Sequence, residues 1–488
     1  MKKHVSVMIL AAMLCQLAAC GGEAPAADTT AASASDEAAT TVEATSEYQK
    51  PDVDYGGATF TIAGYQYDDS SWKITKYQLM TTEEDGDVVN DAIARANRQV
   101  EEEMNIKLEL LPMKSSERND PTQLTKHIMA GDDAFQYAMV RTAALPGILA
   151  VPSMVVDMAE VPNLDLSHSW WDAKSLEEYN LYGKQFAAVG DMCFITNGAP
   201  IVTFFGKQLV DELKLDNPYQ LVYDGKWTYD KMIQMVEAAS GDLNGNTVPD
   251  EAEDRFGYSA ESSTLNYGLV ACGIRYTERD SKGEISLALD GNRISTISEK
   301  FKALINNKNT TLKMTNGQYL YDVVVPTLKD NRLLFFCNQM LVALDLRDME
   351  SDFGILPQPK FDESQKEYIS TMNTWFCDNV IIPASNADPG RTGHVLEAMG
   401  YYYQQYVTPA FIDTTVLGKS VRDEDSAKVI EMIYDTQSYD VGILFNWGGV
   451  VDKMISLGNA SSAGFASVYA SIEENVKTAM QQTLEELQ

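Results

Sequence analysis

The sequence predicts an α/β protein of two or three domains. Three observations carry this. The chain has 488 residues, against roughly 100–200 per domain. From Thr59 onward, short apolar runs alternate with segments of helical periodicity. A hydrophobic content of 45% with 22% charged residues is that of an ordinary globular protein.

Thr59-Phe60-Thr61-Ile62-Ala63 reads as a first strand closed by Gly64. Val89, Ile93, Ala96, Val100 and Met104 fall at helical spacing, predicting an amphipathic helix over 87–104. Ile106 to Leu110 alternates as a strand, 122–129 follows as a helix and 136–140 as a strand, which together suggest a mainly parallel sheet. Further on, strands are expected at 200–205, 333–336 and 353–356, and helices at 207–214, 294–306, 426–434 and 468–487. Thr228 caps a helix running to about Ala239, and Asp388-Pro389 opens another. No internal repeat is visible.

The N-terminus is an address. Lys2 and Lys3 precede an apolar run from Val5 to Leu17, the pattern of a signal peptide over residues 1–19. Leu17-Ala18-Ala19-Cys20 resembles the bacterial lipobox, which implies lipidation of Cys20 and cleavage before it. Two acyl chains suffice for anchoring, at about 0.8 kcal/mol per buried methylene. Residues 20–56 read as the lipidated cysteine and an acidic disordered tether, because Gly21 to Glu47 holds one large aliphatic, Val42, and no aromatic.

The formal net charge of −33 argues against a nucleic-acid partner, which needs clustered Lys and Arg. Cys193, Cys272, Cys337 and Cys377 lie in apolar surroundings without CxxC spacing, so buried free thiols are favoured over two disulfides. Catalytic templates are missing. No GxSxG elbow occurs, and Leu417-Gly418-Lys419-Ser420 has Asp413 where a P-loop has glycine. The expectation is a binding protein, not an enzyme, with no catalytic cofactor.

One loop has metal-ligand spacing. Asp242, Asn244, Asn246, Asp250 and Glu253 stand at positions 1, 3, 5, 9 and 12 of an EF-hand-like loop, with the Val248 carbonyl at 7. Thr247 replaces the usual glycine. A structural Ca2+ is the expectation, with a solvated Asx-turn loop as the alternative.

Of the six tryptophans, several sit beside polar groups. An indole face next to Asn or Asp suits a sugar ring and its hydroxyls. Trp375 with Asn373, Trp447 with Asn446, Trp171 with Asp172, and Asn338 are the candidate ligand residues, core packing being the competing reading for each Trp. Trp227, just before a helix cap, is assigned to the core.

Asn217-Pro218-Tyr219, Gly225-Lys226-Trp227-Thr228, the acidic loop and Arg255-Phe256-Gly257-Tyr258 occur in the order found in extracellular solute-binding lipoproteins of ABC importers. Arg347 to Lys360 is similar to the "fGvlPlPK" segment of that family, and 362–368 and 422–426 resemble its Gram-positive, carbohydrate-type branch (family one). The resemblance implies a type II periplasmic-binding-protein-like fold: two interleaved α/β lobes joined by a hinge around a central ligand cleft. Its lobes would be 57–199 with 370–412 and 203–357 with 413–488, with Pro357 and Pro359 marking a change of lobe. The implied function is capture of a carbohydrate or oligosaccharide by a lipid-anchored monomer on the extracellular face of the cytoplasmic membrane, for delivery to an ABC permease. A sensing lipoprotein for a peptide or other non-sugar ligand, and a lipid-anchored glycan hydrolase, stay open as alternatives.

Overall fold

The computed structural model describes residues 48–66, 77–114, 121–261, 263–314, 317–347, 349–415, 424–459 and 464–487. The signal segment, Cys20, the tether up to residue 47, Trp72, Asp348, and Arg422 with Asp423 lie outside the described residues.

Two sheets organise the chain. The first is built from β1 (Ala58–Gln66), β2 (Ile106–Lys114), β3 (Tyr137–Arg141) and β12 (Asp378–Ile381), in the order β12-β3-β1-β2. β1 pairs in parallel with β2 and β3, and β12 closes the edge antiparallel to β3. The parallel pairs need crossover helices. Between β1 and β2 runs α1 (Val88–Met104), whose Asp87 cap accepts from the amides of Val89 and Asn90, and whose apolar stripe is buried. Between β2 and β3 runs α2 (Thr122–Ala130).

The second sheet has the order β10-β4-β9-β5-β8, from β4 (Ile201–Gly206), β5 (Phe256–Ala260), β8 (Thr311–Lys313), β9 (Leu333–Gln339) and β10 (Phe353–Pro357). Its β5 pairs in parallel with β8 and β9, while β4 is antiparallel to both β9 and β10. Phe204 and Phe336 stack at 4.7 Å across β4 and β9. Gly354 is demanded here: a Cβ would lie 2.1 Å from the Phe205 ring. α4 (Tyr229–Ala239) carries the Thr228 cap, whose Oγ1 accepts from Lys231 N. Trp227 is fully buried and its Nε1 donates to the Pro357 carbonyl at 2.9 Å.

Two local expectations are corrected. The chain does not change lobe at Pro357–Pro359: Lys360 N donates to Trp227 O and Tyr229 N donates to Lys360 O, so this stretch stays on the second sheet's unit. The crossing comes later, at β11 (Ser370–Thr371) and the residues after it, where Met372 bridges antiparallel to Pro200. The C-terminal helix is interrupted as well, as Phe465–Ala470 and Glu473–Leu487, with a turn at Ser471 and Ile472. Cys193, Cys272, Cys337 and Cys377 are all buried and unpaired. Burial pushes the Cys377 thiol up to about 12.

Candidate functional site

The two sheet units meet where strands cross. Asn373 N donates to Ala199 O (2.9 Å), Met340 N donates to Pro200 O (2.8 Å), and Asn373 Nδ2 donates to Gln339 Oε1 (3.2 Å). Asn373 is therefore buried in the crossing. Its Oδ1 accepts from Trp375 N at 3.0 Å, forming an Asx turn that throws the next indole outward. Trp375 is 50% exposed, while the other four described tryptophans are buried.

The Trp375 turn is held from beneath. β12 and β3 pair Asp378 opposite Arg141, and the two side chains form an ion pair at 2.9 Å in the interior. The same guanidinium donates to the Trp375 carbonyl at 2.6 Å and lies near the rings of Tyr65 and Phe376. Ala143 N to Thr374 O (3.0 Å) and Thr142 N to Cys377 O (2.9 Å) zip the two chains together. Desolvation raises the Asp378 carboxyl and Arg141 opposes that rise.

On the facing edge of the second sheet, β9 ends in Asn338 and Gln339, both buried. Asn338 turns its Oδ1 onto the Gln339 amide (2.9 Å) and so serves the backbone. The β5–β9 register places Glu261, the residue after β5, at this same edge. Its amide donates to Thr264 Oγ1, and desolvation lifts its carboxyl to about 7, with the Tyr267 hydroxyl pulling the other way. Sequence reasoning missed Glu261. The available signal was a lone acid directly after a strand.

The remaining expected pairs are packed inside, which corrects their reading as sugar platforms. Trp171 is 2% exposed, bridges to Gly190 and directs Nε1 towards Glu397 (3.5 Å). Asp172 caps α3 (Ala173–Tyr179) by accepting from Ser175 N at 2.7 Å. Trp447 is 4% exposed, stacks on Phe445 at 5.1 Å and donates to Thr483 Oγ1 at 3.0 Å. Asn446 ends the preceding helix in the left-handed region, accepting from Val451 N and donating to Asp452. Neither indole keeps a free face.

In the acidic loop, Thr247 takes φ +63°, the left-handed conformation that its position requires. Asp242 accepts from the amides of Gly245 and Thr247, Asn244 from Asn246, Asn246 from Val248, and Asp250 from Ala252. Asn244 Nδ2 donates to Glu253 across the loop at 2.8 Å. Among the described residues, no group of three or more His, Cys, Asp or Glu side chains is placed to hold a metal. Side-chain oxygens of Asp242, Asn244, Asn246 and Asp250 thus form Asx turns with the loop's own amides.

Two α/β units with interleaved chain and a crossing between them are the architecture of the type II periplasmic-binding-protein fold. The chain is similar to solved structures of that architecture. The galacto-N-biose-/lacto-N-biose I-binding protein of the Bifidobacterium longum ABC transporter, in complex with lacto-N-biose, matches with TM-score 0.58 and 13% identity over 88% of this chain and 98% of that one. An ABC substrate-binding protein of Listeria monocytogenes in complex with cycloalternan matches with TM-score 0.57 and 10% identity, over 87% and 99%. A Mycobacterium tuberculosis protein in complex with glycerophosphocholine matches with TM-score 0.54 and 12% identity, over 88% and 99%. No protein-family model matches the chain, and no curated protein matches it. Among the described residues, no helix is long and apolar enough to cross a membrane.

Proposed function

We propose that the protein is a substrate-binding protein that captures a carbohydrate, an oligosaccharide in particular, between its lobes and delivers it to an ABC permease. The single observation that carries this reading is Trp375, an indole half open to solvent on a turn built from the interlobe crossing and braced by Arg141. A flat apolar face there suits the C–H face of a sugar ring, and Glu261 supplies an acceptor for a hydroxyl. Asn373 and Asn338 act by shaping the crossing. The lipobox at Cys20 supports anchoring on the extracellular face of the membrane, and the order of sequence motifs supports the importer role. The same reading makes the protein a monomer and a binder without catalysis. The 242–253 loop is proposed to hold a structural Ca2+, supported by its oxygen spacing and by the backbone of Thr247.

A second reading is favoured by the similarity to the glycerophosphocholine complex: a non-sugar solute in the same cleft. A thermal-shift screen of mono- and oligosaccharides, amino acids, peptides and glycerophosphodiesters separates the two. Stabilisation grows as ln(1 + [L]/Kd), so a ligand at one hundred times Kd adds about 2.7 kcal/mol. A rise confined to one sugar class, lost in Trp375→Ala and with the sugar recovered intact, supports the proposal. A response only to a non-sugar, or recovery of cleaved sugar, overturns it.

A further inference from the structure

The two units also touch along a charged seam. On the first unit, the seam is α3 and the residues after it. On the second, it is the hairpin of β6 (Thr277–Arg279) and β7 (Ile285–Leu287) with the segment around β13 (Gln437–Ser438). Arg275 ion-pairs with Glu178 across the seam at 2.5 Å. Arg279 donates to the carbonyls of Glu178 (2.8 Å) and Asn180 (2.5 Å), the C-terminal end of α3, where a cation is favoured by the helix dipole. Lys174 donates to the carbonyls of Asp435 and Gln437, and Tyr182 donates to Glu284 at 3.5 Å. Tyr179 and Tyr439 meet edge to face at 5.5 Å, both buried. Beside these contacts a cavity of about 530 Å3 opens, walled by Leu166, Leu176, Glu177 and Asn180 from one unit and Arg279 from the other.

We propose that this seam is a latch: Arg275 and Arg279 hold α3 and thereby set the angle between the lobes in the unliganded protein. Three features fit a contact that is made and broken. First, the cross-seam ion pair is partly exposed, Arg275 at 39% and Glu178 at 25% of their side chains, so water replaces each partner at small cost. Second, Arg275 has a partner on its own side, Asp440 at 3.4 Å, so opening strands no buried charge. Asp440 is itself fixed, accepting from Tyr276 N (2.8 Å), Gly442 N (2.8 Å) and Thr277 Oγ1 (2.7 Å), which pre-organises the arginine. Third, the α3 carbonyls released by Arg279 lie at a helix end, where water serves them. The chain crossings at Pro200 and Met372 are paired with each other, so on this proposal they form the hinge about which the lobes turn. The seam adds the contacts that resist that rotation. A ligand that favours another angle then works against the latch, and its apparent affinity falls by the latched fraction.

The test compares the full chain with E178Q/R279A, without ligand, by small-angle scattering and amide hydrogen exchange at 50 mM and 500 mM salt. The latch predicts a changed radius of gyration and about tenfold faster exchange in 176–184 and 435–440, the size expected of two partly exposed charged contacts. Exchange in β1 and β9 stays as in the parent, and salt moves the parent in the direction of the variant. An unchanged radius of gyration with unchanged exchange at both salt concentrations overturns the proposal. So does loss of protection in β1 and β9 together with the seam, which assigns these residues to general stability. Should the double variant not fold, E178Q alone, which removes a single charge from the pair, is read by the same two criteria.

Discussion

Replacing Arg141 with methionine tests how the Trp375 turn is held. The substitution keeps most of the side-chain volume and removes the charge. Arg141 has no exposed surface and the Asp378 side chain is 8% exposed, so the variant leaves a carboxylate buried with its ion partner gone and the Trp375 carbonyl short of a donor. Breaking such a pair from one side costs about 3–5 kcal/mol, a large share of the roughly 5–15 kcal/mol that holds a domain folded. The cost depends on pH in a defined direction. Burial raises the Asp378 carboxyl above its ordinary 3.8 and Arg141 opposes this, so the variant's carboxyl rises further. A folded-state value above the unfolded one means the native protein binds more protons, and stability falls as pH rises through that window. R141M therefore loses most at pH 8 and recovers towards pH 5. The assay is urea unfolding followed by circular dichroism and tryptophan fluorescence, for R141M, D378N and the double variant. The double should cost about 2 kcal/mol less than the singles combined. A penalty for R141M below about 1 kcal/mol at pH 7, or one that does not change with pH, refutes the argument that a buried ion pair braces the turn.

Three further outcomes are expected. The parent protein should melt at a higher temperature at pH 5.5 than at pH 7.5, because Asp191 and Glu261 are both lifted by desolvation to about 7 and both add stability as they protonate. Asp191→Asn should shrink that gain, and a midpoint that falls on acidification contradicts it. Trp375→Ala should leave the unliganded melting temperature within a degree or two of the parent, about what an exposed substitution costs. Trp447→Ala should destabilise by about 3–5 kcal/mol, as core indoles do; equal effects of the two on stability, read by urea titration, would contradict their assignment. Adding Ca2+ to chelator-treated protein should raise the melting midpoint and Asp242→Asn should abolish the rise, whereas no response returns the loop to a set of Asx turns.

The architecture was legible because it is written in local patterns. Helical spacing from Val89 to Met104, the caps at Thr228 and Asp388, and the apolar run Leu333 to Phe336 each specify an element from neighbours a few residues away. Trp227 is expected in the core because it precedes the Thr228 cap, although the groups that bury it, Phe335 and the Pro357 carbonyl, come from far along the chain. The interruption at Ser471 and Ile472 was not visible, since both residues are compatible with a continuing helix.

The candidate site depends on long-range geometry. Trp171, Trp375 and Trp447 all stand beside Asp or Asn, so composition could not rank them. Trp171 and Trp447 are covered by residues hundreds or dozens of positions away, Glu397 and Thr483, while Trp375 is turned outward by Asn373 and propped by Arg141 from another strand. Glu261 gains its place only because β5 runs parallel to β9 and ends at the same edge. Sequence by itself determined which segments become strands and helices, that the body is α/β, and which aromatics were available. The tertiary structure decided which indole faces solvent, which carboxylates lose their water, and which arginines span the seam, because burial and ion pairing are set by residues brought together from distant parts of the chain.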